Sequence, residues 1–318
     1  MNRKAFIKAG GLTGALLALG EMDLLAGDHK TRAVDDNRTV GHKEAAADKS
    51  VLLLATNWGF DGNSLQFCEA AAKAGYDGIE LWWPNEKKDQ DLLLKALQTT
   101  GLKVGFLCGG YEADPTQHLA TFKKAVDAAT GHAQLKPLYI NCHSGRDWFS
   151  EEANNEFIRF TIEKSKASGV PIYHETHRSR ILFAAHVARR YMERFQELKL
   201  TLDISHWCNV HESMLTDQAD TVQLALQRTA HIHARVGHPE GPQVNDPRAP
   251  EWEKIVARHL GWWDEVIKRQ KANGKTTTIL TEFGPPDYMP TEPYTRKPLA
   301  DQWSVNVYMM QLLRKRYS

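Results

Sequence analysis

Eight strand-then-helix units in succession predict an α/β fold, a single (β/α)8 TIM barrel, for residues 51–318. Three observations carry this expectation. No two strand-like runs stand close enough to form a hairpin, so the strands must be parallel and joined by crossovers, and eight of them close a barrel. Side chains of metal-ligand and acid–base type recur at the carboxyl ends of those runs, which is where such barrels place their chemistry. The length, 318 residues, suits one barrel domain behind a shorter leading segment.

That leading segment, residues 1–27, reads as a targeting signal. Residues 1–8 are basic, and residues 9–20 (A-G-G-L-T-G-A-L-L-A-L-G) form an apolar run too short to span a bilayer, so no stable membrane anchor is expected. The order Arg3-Lys4-x-Phe6-Ile7-Lys8 resembles a twin-arginine export signal with Lys in place of the second Arg, which implies an exported, periplasmic protein. Residues 28–50 are charged, Ala-rich and without apolar periodicity, the composition of a disordered linker.

The barrel then unfolds in order. Residues 51–55 (V-L-L-L-A) read as the first strand, and residues 64–75 as a helix capped by Ser64 and closed by Gly75. Strands at 76–83, 103–110 and 137–145 alternate with helices at 89–101 and 115–133. A helix at 150–169, opened by S-E-E, leads into the strand 170–177 (V-P-I-Y-H-E-T-H), entered through Gly169 and Pro171. Helices at 181–197, 212–229, 252–274 and 298–316 separate and follow strands at 200–203, 231–233 and 276–283. Between the seventh strand and its helix lies a long loop, residues 236–250, with four prolines, expected to overhang the barrel mouth as a stiff lid.

Charge excludes one class of function. The formal net charge is +1 and no long basic block occurs, so a nucleic-acid surface is not expected. Cys68, Cys108, Cys142 and Cys208 show no metal-knuckle spacing and read as small buried side chains. Cys108 and Cys142, near the ends of consecutive strands, are the one pair placed to bridge in an oxidising compartment.

The strand ends hold the chemistry. Alternation along residues 170–177 puts Tyr173, Glu175 and His177 on one face. A carboxylate on the inward face of a buried strand is costly unless something neutralises it. Similar misfits follow at Asp203, at His231 or His233, and at Glu282. Four ligand-type residues from four strands ask for one shared divalent cation. Glu80, His143, His206 and Arg235 also lie at or just past strand ends, and together they read as an active rim rather than as scattered buried polar residues.

These motifs resemble the xylose-isomerase-like (β/α)8 barrels, a family of sugar isomerases and epimerases, inosose dehydratases and family 2 AP endonucleases. The resemblance rests on G-Y-D-G-I-E-L-W (75–82), H-E-T-H around Glu175, D-I-S-H (203–206), H-I-H-A-R (231–235) and T-E-F-G (281–284). It implies an epimerase-like cation site of Glu175, Asp203, His233 and Glu282, with His231 as the rival third ligand. Glu175 and Glu282 would double as the acid–base pair. It also implies that a three-zinc nuclease does not fit, because Gly109-Gly110-Tyr111 after the third strand supplies no histidine.

A site of three carboxylates and one imidazole favours Mn2+, Mg2+ or Co2+, with Zn2+ also able to bind. Such an ion supplies Lewis-acid help for proton removal beside a ketone. The expected function is therefore a metal-dependent sugar isomerase or epimerase working through an enediolate. The alternatives are a β-eliminating lyase or dehydratase on a keto-glycoside, with His143 or His206 protonating the leaving oxygen, and a sugar-binding barrel without turnover. Trp58, Glu80, His177, Arg235 and His238 are the expected substrate contacts. The loop after the eighth strand, residues 284–290, has prolines in place of backbone donors, so a neutral small carbohydrate is expected rather than a phosphosugar.

Overall fold

The computed structural model describes residues 50–318. The signal-like segment (1–27) and the linker (28–50) up to its last residue lie outside the described residues. Eight strands form one closed parallel barrel in sequence order: β1 (Val51–Thr56), β2 (Gly78–Trp82), β3 (Lys103–Gly109), β4 (Ile140–His143), β5 (Ile172–Glu175), β6 (Leu200–Leu202), β7 (Thr229–His233) and β8 (Thr277–Thr281). β1 pairs with β8 in parallel, which closes the ring.

Helices α1 (Ser64–Ala74), α2 (Lys87–Thr100), α3 (Pro115–Gly131), α4 (Glu151–Ser168) and α5 (Ala185–Arg194) each follow the strand of the same number. Local chemistry fixes their ends. Asn63, not Ser64, caps α1, accepting from the Leu65 and Gln66 amides while Gln66 returns a bond to the Asn63 amide. Gly75, Gly101 and Gly169 close α1, α2 and α4 in the left-handed region.

The expected helix at 212–229 is not one helix. A short α6 (Ile204–Val210) starts directly after β6, with Asp203 as its N-cap. Glu212 and Leu215 then take left-handed backbone, at φ 48° and 57°, which breaks the chain before α7 (Ala219–Arg228). α8 (Glu253–Ala272) and α9 (Gln302–Tyr317) complete the ring. α9 starts four residues later than expected because Asp301 is its cap. Among the described residues no helix is long and apolar enough to cross a membrane.

Two apolar layers result. Outward strand residues such as Ile79, Phe106, Ile140 and Ile232 pack under the helices, with Trp262 and Trp263 of α8 buried in the same layer. Inside the barrel, Leu54, Tyr139 and Leu280 form a plug with Leu52 and Tyr173 against it. The plug needs a gap on β3. A Cβ on Gly105 would meet the Tyr139 ring at 2.5 Å. Gly105→Ala is therefore expected to cost about 1–3 kcal/mol by overpacking, read as a lower urea midpoint; an unchanged midpoint would mean that Tyr139 has room to move aside. All four cysteines are buried and free, although Cys108 and Cys142 are register partners across β3 and β4.

Candidate active site

Inward-facing positions above the plug carry the polar cluster. From β5 and β7, Glu175 and His233 point into the barrel; Asp203 and Glu282 stand just past β6 and β8. Ligand-type atoms of these four buried residues all lie within 4.8 Å of one another. His233 Nδ1 is 2.9 Å from Glu282 Oε2 and 3.6 Å from Glu175 Oε1. Three buried carboxylates and one imidazole with ligand-type atoms this close together fit a divalent cation.

Protein cations hold this acid cluster together. Arg235 binds Asp203 through Nη2 and lies 3.7 Å from Glu282 through Nη1. Ser205 donates to Asp203 through both its amide and its hydroxyl. Burial still pushes Asp203 up to about 6, with the Arg235 charge opposing the shift and the Glu282 and Glu175 charges adding to it. Burial also acts to raise Glu175, but His143 and His233 beside it hold it well below the usual carboxylate range. For His233, burial favours the neutral ring, yet Glu282, Glu175 and Glu80 outweigh it and raise the group well above its ordinary value.

Below this set lies a second, closed network. Glu80 accepts from Tyr139 Oη at 2.8 Å and from Asn141 Nδ2 at 3.4 Å, and it touches His231 Nε2 and His233 Nε2, each at 3.2 Å. The other nitrogen of His231, Nδ1, is 2.8 Å from the Thr278 hydroxyl and 2.9 Å from its carbonyl. Both His231 nitrogens are thus engaged at the plug, whereas His233 turns Nδ1 toward the carboxylates. Asn141 links the two levels, donating also to Glu175 Oε2 at 2.8 Å.

The mouth is a cavity of about 420 Å³. Trp58, Glu80, His143, His177, Arg235 and Glu282 line it, as expected of site residues, and so do Trp82, Tyr111, Arg180 and Tyr288. His143 Nε2 is 2.9 Å from Glu175 Oε2. The His177 ring stands between those of His143 and His206, at 4.6 and 4.1 Å between centroids. His206 is fully buried behind it, with Nε2 2.7 Å from Arg235 Nη2. Trp58 meets Tyr288 edge-on at 4.8 Å, and Arg235 sits over the Tyr288 ring at 4.8 Å.

Two expectations come out differently. His238 is not among the residues lining the cavity; it bridges to Gly241 and packs on Trp252. The loop 236–250 contributes no lining residue either. Its buried Gln243 clamps the Gly284 amide and carbonyl, and the Val244 amide bonds back to Val236, so the loop is drawn down onto the barrel. Tyr288, from the loop after β8, takes the wall position instead. The sequence reading missed Tyr288, Tyr139 and Asn141. The last two share the inward alternation of His143 along β4, which was the signal available.

Comparison with known proteins follows the same lines. A family model described as a xylose isomerase-like TIM barrel matches residues 68–269. No curated protein matches the chain. Among solved structures, the apo 3-keto-D-glucoside 4-epimerase from E. coli is similar at 13% identity and a TM-score of 0.55, covering 83% of this chain and 99% of that one. A structure of the IOLI protein with a bound zinc atom has 15% identity and a TM-score of 0.57, covering 84% and 99%. A family 2 AP endonuclease from Brucella melitensis has 16% identity and a TM-score of 0.51, covering 74% and 93%. At these identities the likeness concerns the fold.

Proposed function

The chain belongs to the xylose isomerase-like TIM-barrel family, and on that premise we propose a divalent-metal-dependent enzyme of the sugar isomerase and epimerase type, acting through an enediolate on a small keto-sugar. The observation that carries the reading is the convergence of buried ligand-type atoms from Glu175, Asp203, His233 and Glu282 within 4.8 Å of one another. These four residues would hold one ion, Mn2+, Mg2+ or Co2+ by the hardness of the oxygen donors, with Zn2+ also able to bind. When bound, it supplies Lewis-acid polarisation of the ketone and the neighbouring hydroxyl. The zinc atom bound in the IOLI protein among the structural neighbours is a reason to keep Zn2+ among the candidates.

Glu175 and Glu282 then act as the proton pair. Glu282 lines the cavity directly, and the buried Glu175 stands behind its wall, 2.9 Å from the lining His143. One takes the proton from the carbon next to the ketone and the other returns it. Asn141 orients Glu175 from below. Arg235 holds Asp203, whose protonation its charge opposes, and lies 3.7 Å from Glu282, where it helps to offset negative charge developing on substrate oxygens. Trp58, Trp82, Tyr111 and Tyr288 offer aromatic faces for the C–H faces of a sugar.

A β-eliminating lyase is the second reading, favoured by His143, which reaches the cavity and could protonate a leaving oxygen; His206 is buried too deeply to do so. Incubating the metal-loaded protein with keto-sugars in D2O tests both. Deuterium entering at the carbon beside the ketone supports the enzyme, and loss of a β-substituent identifies the lyase. Metal binding without any exchange would leave a sugar-binding barrel.

Export is part of the same reading. The basic start and short apolar run of residues 1–27 are expected to direct the chain to the periplasm and to be removed before about residue 49. Cell fractionation that finds only the full-length chain in the cytosol would overturn this.

A further inference from the structure

Two guanidiniums line the mouth, and their surroundings differ. Arg235 is taken by Asp203. Arg180, in the turn after β5, is 6% exposed and makes one hydrogen bond, from Nη1 to the Gly110 carbonyl at 3.2 Å. Its Nε is buried without a partner. Among the described residues no carboxylate stands within ion-pair distance of it, and the Tyr111 ring, 5.7 Å from its carbon centre, is its aromatic neighbour. Burial and the nearby Arg146 charge press it below its ordinary value, with Tyr111, Glu175 and Asp147 opposing from beyond ion-pair distance.

A buried charge without a counter-ion is costly, and structures retain one where a ligand supplies the missing partner. Here the unpaired group faces the same cavity as Glu282 and His143. We propose that Arg180 forms an anion subsite in the mouth and that the substrate presents a carboxylate there, as a keto-sugar acid does. The guanidinium fork matches a carboxylate in two parallel hydrogen bonds.

A phosphate is the other source of an anion, and the surroundings favour it less. Of the cations near Arg180, Arg235 is taken by Asp203, and Arg146 bonds the Tyr111 carbonyl and is not among the residues lining the cavity, which leaves one free guanidinium for a dianion. Arg178, the nearest alternative in sequence, is turned onto Tyr288 and bonds Asn209. Among the described residues no glycine-rich helix start lines the cavity, and the loop after β8 opens Gly284-Pro285-Pro286. The neutral sugar expected from the sequence leaves Arg180 without a counter-ion; an acidic sugar supplies one.

The inference rests on the cavity being the sugar site, and its test reads binding rather than turnover. D-fructose, D-fructuronate and D-fructose 6-phosphate share a ketone and differ at C6. They would be titrated calorimetrically into the Mn2+-loaded full chain. D-fructuronate is expected to bind at least about tenfold more tightly than either of the others, the range of hydrogen bonds to a charged group. Arg180→Gln is expected to reduce its affinity to that of D-fructose, and Arg180→Lys to keep part of the preference. Equal binding of the three, tightest binding of the phosphate, no binding of any, or a preference that survives Arg180→Gln overturns the proposal. Should Arg180→Gln not fold, the wild-type series and Arg180→Lys decide it. Failure of deuterium exchange with the D-fructuronate preference intact would remove the enzyme reading and leave the subsite.

Discussion

Asp203→Ala is expected to abolish divalent-metal binding and activity together while leaving the barrel folded. A lost outer partner of a metal site typically costs about 10–100-fold in affinity, and removal of a ligand itself should exceed about 100-fold. Stability falls as well, because Arg235 loses the carboxylate it binds through Nη2 and keeps only Glu282, at 3.7 Å. Breaking a buried pair costs about 3–5 kcal/mol, which a domain with a typical margin of ~5–15 kcal/mol survives. Calorimetric titration with Mn2+ and circular dichroism on the same sample check both parts. Full metal occupancy in the variant would remove Asp203 from the ligand set.

Glu175→Gln carries the second large effect. The change keeps the shape but removes the proton acceptor, and it sets an amide against Asn141 Nδ2 and His143 Nε2, which stand 2.8 and 2.9 Å from Glu175 Oε2. Loss of a positioned acid–base group typically costs about 10²–10⁴-fold in rate, so exchange in D2O should fall at least that far even at saturating Mn2+. Saturation matters because a neutral amide is also the weaker ligand. If the rate at saturation is unchanged in Glu175→Gln but collapses in Glu282→Gln, the abstracting base is Glu282 alone.

Much of this was legible before any coordinates because strands announce their inward faces by period two. The alternation through Tyr173, Glu175 and His177 placed Glu175 in the barrel, where Asn141 and His143 now contact its carboxylate. The same period placed His231 and His233 on one face but could not separate them. Depth separates them, since His231 is engaged at the level of the plug by Glu80, Tyr139 and Thr278.

What escaped the sequence depended on backbone turns and on loops. Asp203 was read as a ligand alone, so its second role as the cap of α6 went unseen, and with it the helix that buries His206. The proline-rich loop 236–250 looked like a lid because its prolines stiffen it. Its course depends instead on Gln243, whose bonds to Gly284 tie it to the β8 loop. Tyr288 sits in the segment that was read only for its poor fit to phosphate. Arg180 was visible as a charge after the fifth strand, but its lack of a counter-ion is a property of the folded cavity.

The central claim is the identity of the metal site, because among the described residues three side-chain groups have ligand atoms close enough to hold an ion. Anomalous diffraction from Mn2+-soaked crystals separates them directly. One peak per chain is expected among Glu175, Asp203, His233 and Glu282, within about 2.0–2.3 Å of their donor atoms. A peak instead at Glu80, His231 and His233, or at His143, Glu175 and His177, or no peak at all, would contradict the account.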